Sequence, residues 1–125
     1  GSPMDKDTDN PIIKLCIAGT QAEFEGKMDD ARALFNQAWE AASDHYEACI
    51  AAHYVARFQT DPAEGLRWNL GALRHARLVG DDRVKGFYPS LYLSIGRAYE
   101  VLGDWVVARS YYDLAAALGV VHREE

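Results

Sequence analysis

An all-α fold built from three antiparallel helix pairs is predicted for this chain by three observations. Apolar residues recur at helical spacing from Pro11 to about Leu118. The marks of strands, which are alternation, paired turn dipeptides and β-branched runs, are missing from the same stretch. Helix-start and helix-stop residues divide it into six segments of ordinary helix length. With 125 residues, 49% of them hydrophobic and 26% charged, the chain has the composition of one globular domain able to bury a core.

The elements follow in order. Gly1-Ser2-Pro3 directly before Met4 reads as the remnant of a cleaved tag, and the polar stretch to Asn10 as a disordered N-terminus, so residues 1–10 stand outside the domain. Pro11 starts the first helix, which Gly26 closes. Met28-Asp29-Asp30 opens the second with acids in its first turn, where the helix dipole favours them. Ser43-Asp44 offers a cap for a third helix running to about Gln59. Thr60-Asp61-Pro62 is a stop and a restart, because proline suits the first helical position, where its missing N–H would be unpaired anyway. The fourth helix runs to about Val79, with Gly80 as a left-handed terminator. Asp81 or Asp82 caps a fifth that passes Pro89 and ends near Leu102; Gly103-Asp104 turns into a sixth, Trp105 to about Leu118. The domain spans 11–121, with a tail at 122–125.

The pairs repeat. Gly19, Ala31 and Ala38 recur as His53, Gly65 and Ala72 after a step of 34 residues, and again as Gly96, Ala108 and Ala115 after a step of 43. Small residues at fixed spacing belong where two helices cross closely and no long side chain fits. In the third copy Ile95-Gly96, Tyr99, Gly103-Asp104-Trp105, Ala108, Tyr112 and Ala115 stand together; the first has Gly19, Gly26, Ala31, Phe35 and Ala38. The second departs furthest, with His53 for the glycine, Gly65 for an alanine and Asn69 for the aromatic. This pattern resembles the tetratricopeptide repeat (TPR) family over about residues 12–118, with copies at about 12–43, 46–80 and 82–118. The resemblance implies a right-handed superhelix whose concave side is lined by the first helix of each pair. The nine extra residues before the third copy are expected either in long helices at 62–79 and 82–102, with a kink at Gly86-Phe87-Tyr88-Pro89, or in a short loop there.

Charge and cysteine content narrow the function classes. Lys+Arg 13 against Asp+Glu 19 gives a net charge of -6, the wrong sign for non-specific nucleic-acid binding. Residues 1–64 hold 12 acids and 5 bases, while residues 65–125 hold 7 acids and 8 bases, so the charge is lopsided. Cys16 and Cys49 sit inside apolar periodic segments and read as reduced core thiols of a cytoplasmic protein. No run of apolar residues approaches the length of a membrane span, so no membrane partner is expected.

No catalytic residue, metal site or cofactor is assigned from the sequence. His45, Cys49 and His53 lie four apart on one helix, but three ligands on a straight helix cannot close a tetrahedron; they read as packing residues, with His45 nearer solvent. Asp29-Asp30 and Asp81-Asp82 read as helix-start acids, and no phosphate loop, nucleophile elbow or HExxH is present. Arg67, Arg74, Arg77, Arg83 and Lys85 concentrate positive charge around the fourth helix, either as a solvated face or as a docking patch for an acidic partner. Trp39, Trp68 and Trp105 read as packing residues, with Trp68 the best placed to contact a ligand.

The function expected is that of a non-catalytic protein-interaction module binding a peptide or helix in its groove. The resemblance puts Cys16, Thr20 and Glu23, then Ile50, Tyr54 and Arg57, then Leu93, Arg97 and Glu100 on the groove side. Arg57 and Arg97 suit a carboxylate and Tyr54 an amphipathic contact. The Lys/Asn carboxylate clamp of the chaperone-tail subset of the family is not matched. The last helix is apolar on more than one face and is followed by Val120-Val121, which suggests a homo-oligomer formed through Tyr111 and Leu118, or a segment cut from a longer chain. A self-assembling scaffold and a ligand- or metal-responsive regulator are the alternatives.

Overall fold

The structure, a computed structural model, describes residues 9–119. The expectations for residues 1–8, for Val120-Val121 and for the tail at 122–125 lie outside the described residues. Those described form six α-helices and one 3-10 helix: α1 Pro11–Phe24, α2 Met28–Ala41, α3 His45–Arg57, α4 Pro62–Arg77, the 3-10 helix Asp82–Phe87, α5 Tyr88–Val101 and α6 Trp105–Ala117. The closest packing joins α1 with α2, α3 with α4, and α5 with α6; weaker contacts join α2 with α3 and α4 with α5. Each pair is a hairpin joined by three or four residues, the loop length such units favour.

Local chemistry explains most of the boundaries. The Asn10 side chain accepts hydrogen bonds from the Ile12 and Ile13 amides, and Pro11 takes the first turn of α1. Gly26 and Gly103 adopt φ +78° and +88°, a conformation that costs side-chain-bearing residues but not glycine, and so turn the chain between α1 and α2 and between α5 and α6. Asp44, Asp61 and Asp104 cap α3, α4 and α6 through bonds from the amides of Glu47, Ala63 and Val107. Asp81 rather than Asp82 caps the 3-10 turn, accepting from the Arg83 amide at 3.0 Å. Gly80 is not left-handed; α4 already ends at Arg77, with Leu78 in a helical conformation after it.

The fifth segment is not one long helix. Its first six residues wind as a 3-10 helix and the α-helix proper restarts at Tyr88, with Pro89 in its first turn. Proline tolerates that position because no intrahelical bond is lost there. Val84, 3% exposed, anchors the 3-10 turn to the core, and the Arg83 guanidinium lies 4.3 Å from the Tyr46 ring centroid.

Repetition in sequence becomes repetition in packing. Seven of the nine repeated small positions are buried: Gly19, Ala31, Ala38, Ala72, Gly96, Ala108 and Ala115. Gly19 lies against the Phe35 ring and Gly96 against the Tyr112 ring, so that an added Cβ would stand 2.5 Å and 2.7 Å from ring carbons. Phe35 in turn stacks on Tyr54 at 4.9 Å and tilts against Phe58 at 5.3 Å, which fastens the first pair to the second. Trp39 meets Trp68 edge-on at 5.0 Å, and Tyr111 packs between Tyr92 and Tyr99.

Candidate functional site

The first helices of the first two pairs expose a shared apolar hollow of about 560 Å³, lined by Ile17, Thr20, Gln21, Phe24 and Glu25 from the first pair and by Tyr54 from α3. Ile17 is 50% and Phe24 88% exposed. Neither residue helps close the core, which takes Ile12, Cys16 and Ala22 from α1 instead. Thr20 donates its hydroxyl hydrogen to the Cys16 carbonyl, leaving the oxygen free to accept.

Tyr54 is common to this hollow and to a second, tighter one of about 210 Å³ between α3 and the start of α5. Cys49, Ile50, His53, Phe87, Ser90 and Leu91 complete the second. An aromatic side chain thus stands where the two hollows meet, and an apolar strip runs from Phe24 past Tyr54 to Phe87.

Ion pairing fixes the edge of the strip. The Arg57 guanidinium donates to both carboxylate oxygens of Glu23 at 2.8 and 2.7 Å and lies 5.7 Å from the Tyr54 ring centroid. Arg57 and Glu23, expected to face a partner, are therefore committed to each other across the first two pairs.

The remaining groove residues divide. Cys16 is buried in the core, and Ile50, also buried, forms wall of the second hollow. Leu93 is half-buried and Arg97 exposed on α5, away from both hollows. Glu100 accepts the Tyr112 hydroxyl hydrogen at 2.5 Å and faces a different depression, with Trp105, Val106 and Arg109, at the C-terminal end. Burial, then Glu100, pushes the Tyr112 hydroxyl pKa up to about 12. Of the two residues expected to mediate self-association, Leu118 is exposed but Tyr111 is not on that face, because its ring packs against the core.

The basic patch is partly neutralised. Arg67 pairs with Glu64 at 2.9 Å and Arg83 with Asp81 at 3.0 Å, whereas Arg74 and Arg77 sit in the last turn of α4, where the dipole favours cations; Lys85 is exposed in the 3-10 turn.

The stripe of His45, Cys49 and His53 is dispersed over three environments. His45 Nδ1 lies 3.0 Å from His75 Nδ1 on α4, a contact between helices that no local pattern predicts. Cys49 is buried, and burial pushes its thiol pKa to about 11 and that of Cys16 to about 12, so neither is a thiolate near neutral pH. His53 is held below the usual imidazole value by burial and then by Arg57. Among the described residues no group of three or more His, Cys, Asp or Glu is placed to hold a metal ion, and no helix is long and apolar enough to cross a membrane.

No protein-family model, curated protein or solved structure matches this chain.

Ile17, Phe24, Phe87 and Ser90 were not singled out by sequence reasoning. Ile17 and Phe24 are seven apart, two turns on one helix face, and that face differs from the one carrying Cys16 and Gly19. A helix with two apolar faces is the available signal, and its weak amphipathicity hides it.

Proposed function

We propose that the chain is a non-catalytic, cytoplasmic interaction module, a TPR-like stack of three helix pairs in a right-handed superhelix, which binds an apolar or amphipathic segment of a partner protein. The observation that carries this reading is the hollow in which exposed Ile17 and Phe24 on α1 meet half-buried Tyr54 on α3. Large apolar side chains contiguous on a surface favour partner burial over solvation. The repeated crossings at Gly19 and Phe35 and at Gly96 and Tyr112 support the stack. The Glu23–Arg57 pair supplies a polar rim to an apolar centre, the usual anatomy of an interface.

The test is a selection of peptides from a random display library on the wild-type chain, followed by titration of the selected peptides against Phe24→Ser and Tyr54→Ala. Phe24 is 88% exposed, so its replacement leaves the fold intact. The expected result is an affinity loss of about tenfold or more for each variant, the scale of an interface anchor, with Val106→Ser unchanged. Peptides that bind both groove variants as tightly as wild type would refute the groove.

A second reading, self-association through the C-terminal end, is favoured by the exposure of Trp105, Val106, Val101, Leu102 and Leu118 there.

A further inference from the structure

The last helix carries a strip that complements itself. On α6 the residues Trp105, Val106, Arg109, Asp113, Ala116 and Ala117 are all exposed. At about 100° per residue they fall within roughly 120° of arc on one face of the helix. The far side holds Ala108, Tyr111 and Ala115 against the rest of the protein. Tyr111 marks the midpoint of the strip: Trp105 and Ala117 stand six residues to either side of it, Val106 and Ala116 five, Arg109 and Asp113 two. Each of these three couples joins unlike members. The outer two set a larger apolar side chain against a methyl group, and the inner one sets a cation against an anion. Two such strips laid antiparallel, about a two-fold axis at the level of Tyr111, bring every residue opposite its complement. Laid parallel, they bring Arg109 against Arg109 and Trp105 against Trp105, which repels and crowds.

We infer that α6 docks antiparallel on α6 of a second copy, with Trp105 and Val106 of each over Ala117 and Ala116 of the other and two Arg109–Asp113 contacts crossing the axis. This pairing rests on self-association through the C-terminal end, and gives it a helix, a direction and a register. Trp105 and Val106, 65% and 83% exposed, are the side chains with most to gain from burial. The alanines opposite leave room for the two helices to approach closely. Within one copy Arg109 and Asp113 make only a long contact, 3.8 Å, with their side chains 82% and 71% exposed, and an exposed pair of that kind contributes little. Across the axis the same two residues from each copy place four charges alternating in sign, which favours a second copy over a partner of uniform charge.

The experiment follows mass by sedimentation over a wide concentration range for wild type, Arg109→Asp, Asp113→Arg and an equimolar mixture of the two variants. Arg109→Asp makes all four charges at the contact negative, and Asp113→Arg makes all four positive. Each variant alone is expected to dimerise about tenfold or more weakly than wild type. The mixture restores opposite charges at both crossings and is expected to recover the wild-type mass. Both variants lose the Arg109–Asp113 contact within the copy, and mixing does not repair it, so recovery reads the contact between copies alone. Val106→Cys/Ala116→Cys checks the register. Ten residues of helix hold these positions about 15 Å apart in one copy, too far for an internal disulfide, so oxidation is expected to yield a covalent dimer, and Val106→Cys alone to yield none. The native Cys16 and Cys49 are buried and take no part. A wild-type dimer with no recovery in the mixture, or cross-linking by Val106→Cys as complete as by the pair, would overturn the antiparallel pairing and leave self-association standing. A wild-type monomer throughout would overturn both. Should either charge variant not fold, the cysteine pair decides.

Discussion

Gly19 shows how one absent methyl group sets a helix crossing. A Cβ there would stand 2.5 Å from a carbon of Phe35, whose ring is fully buried and braced by Tyr54 and Phe58. Gly19→Ala is therefore expected to destabilise by about 1–3 kcal/mol, the range for overpacked cores, even though alanine is the better helix former. Gly96→Ala meets Tyr112, whose ring is half-buried where that of Phe35 is fully buried, so a smaller loss is expected. Denaturant melts of both variants check the order. Protonation gives a second residue-scale prediction. His53 is depressed by burial and then Arg57, and His75 by burial, then His45, then Arg74. The unfolded chain takes up protons at the ordinary value of about 6.5 while the folded chain resists, so stability is intact above that pH and falls below it. The melting temperature is expected to drop between about pH 7 and pH 5, and His75→Gln to flatten the drop. An unchanged slope in that variant would show that His75 takes no part.

At the scale of the helix, Glu47 joins two starts. Its carboxylate accepts from the Ser43 amide and hydroxyl at 2.9 and 3.0 Å and from Asn10 Nδ2 at 2.9 Å, while Asn10 caps α1. Burial pushes the Glu47 carboxyl up, but the bonds from Ser43 and Asn10, with Arg83, outweigh it and hold the group below its usual value. Glu47→Ala is expected to cost about 1.5–3 kcal/mol, as for hydrogen bonds to a charged group. It is also expected to speed amide exchange at Ile12 and Ile13, whereas Asp44→Ala, which removes only the α3 cap, costs about 1 kcal/mol and leaves those amides protected. Caps such as Asp44 and Asp81 were legible in the sequence because their chemistry is confined to a few neighbouring residues. The 3-10 turn before α5 was not, because what holds it is Val84 in the core and Arg83 over Tyr46, contacts that cross helix pairs. The candidate site divides in the same way. Thr20 and Tyr54 follow from the repeat register, and His53 and Asn69 stand out as departures from it. The hollow beside His53 depends on the spacing between α3 and α5, which no local pattern encodes.

For the whole molecule, the question is what the C-terminal end meets. Val106 is 83% and Trp105 65% exposed, with Val101, Leu102 and Leu118 also open. Large apolar side chains that lie together on a surface favour burial against a partner over solvation. Two copies meeting through identical ends form a closed dimer, because an isologous contact uses the same patch on both sides. Such a dimer leaves Phe24 and Tyr54, on the first two pairs, open to a partner. Sedimentation across a wide concentration range is expected to show a dimer in wild type, and a monomer for Val106→Glu, whose charge would be buried unpaired at the contact. Phe24→Ser is expected to remain dimeric. If Phe24→Ser lowers the mass as much as Val106→Glu does, the contact is head-to-tail between opposite ends. Wild type would then grow without limit as concentration rises, since a heterologous contact that does not close extends. A wild-type monomer at every concentration would remove self-association and turn the search for a partner to the proposed groove.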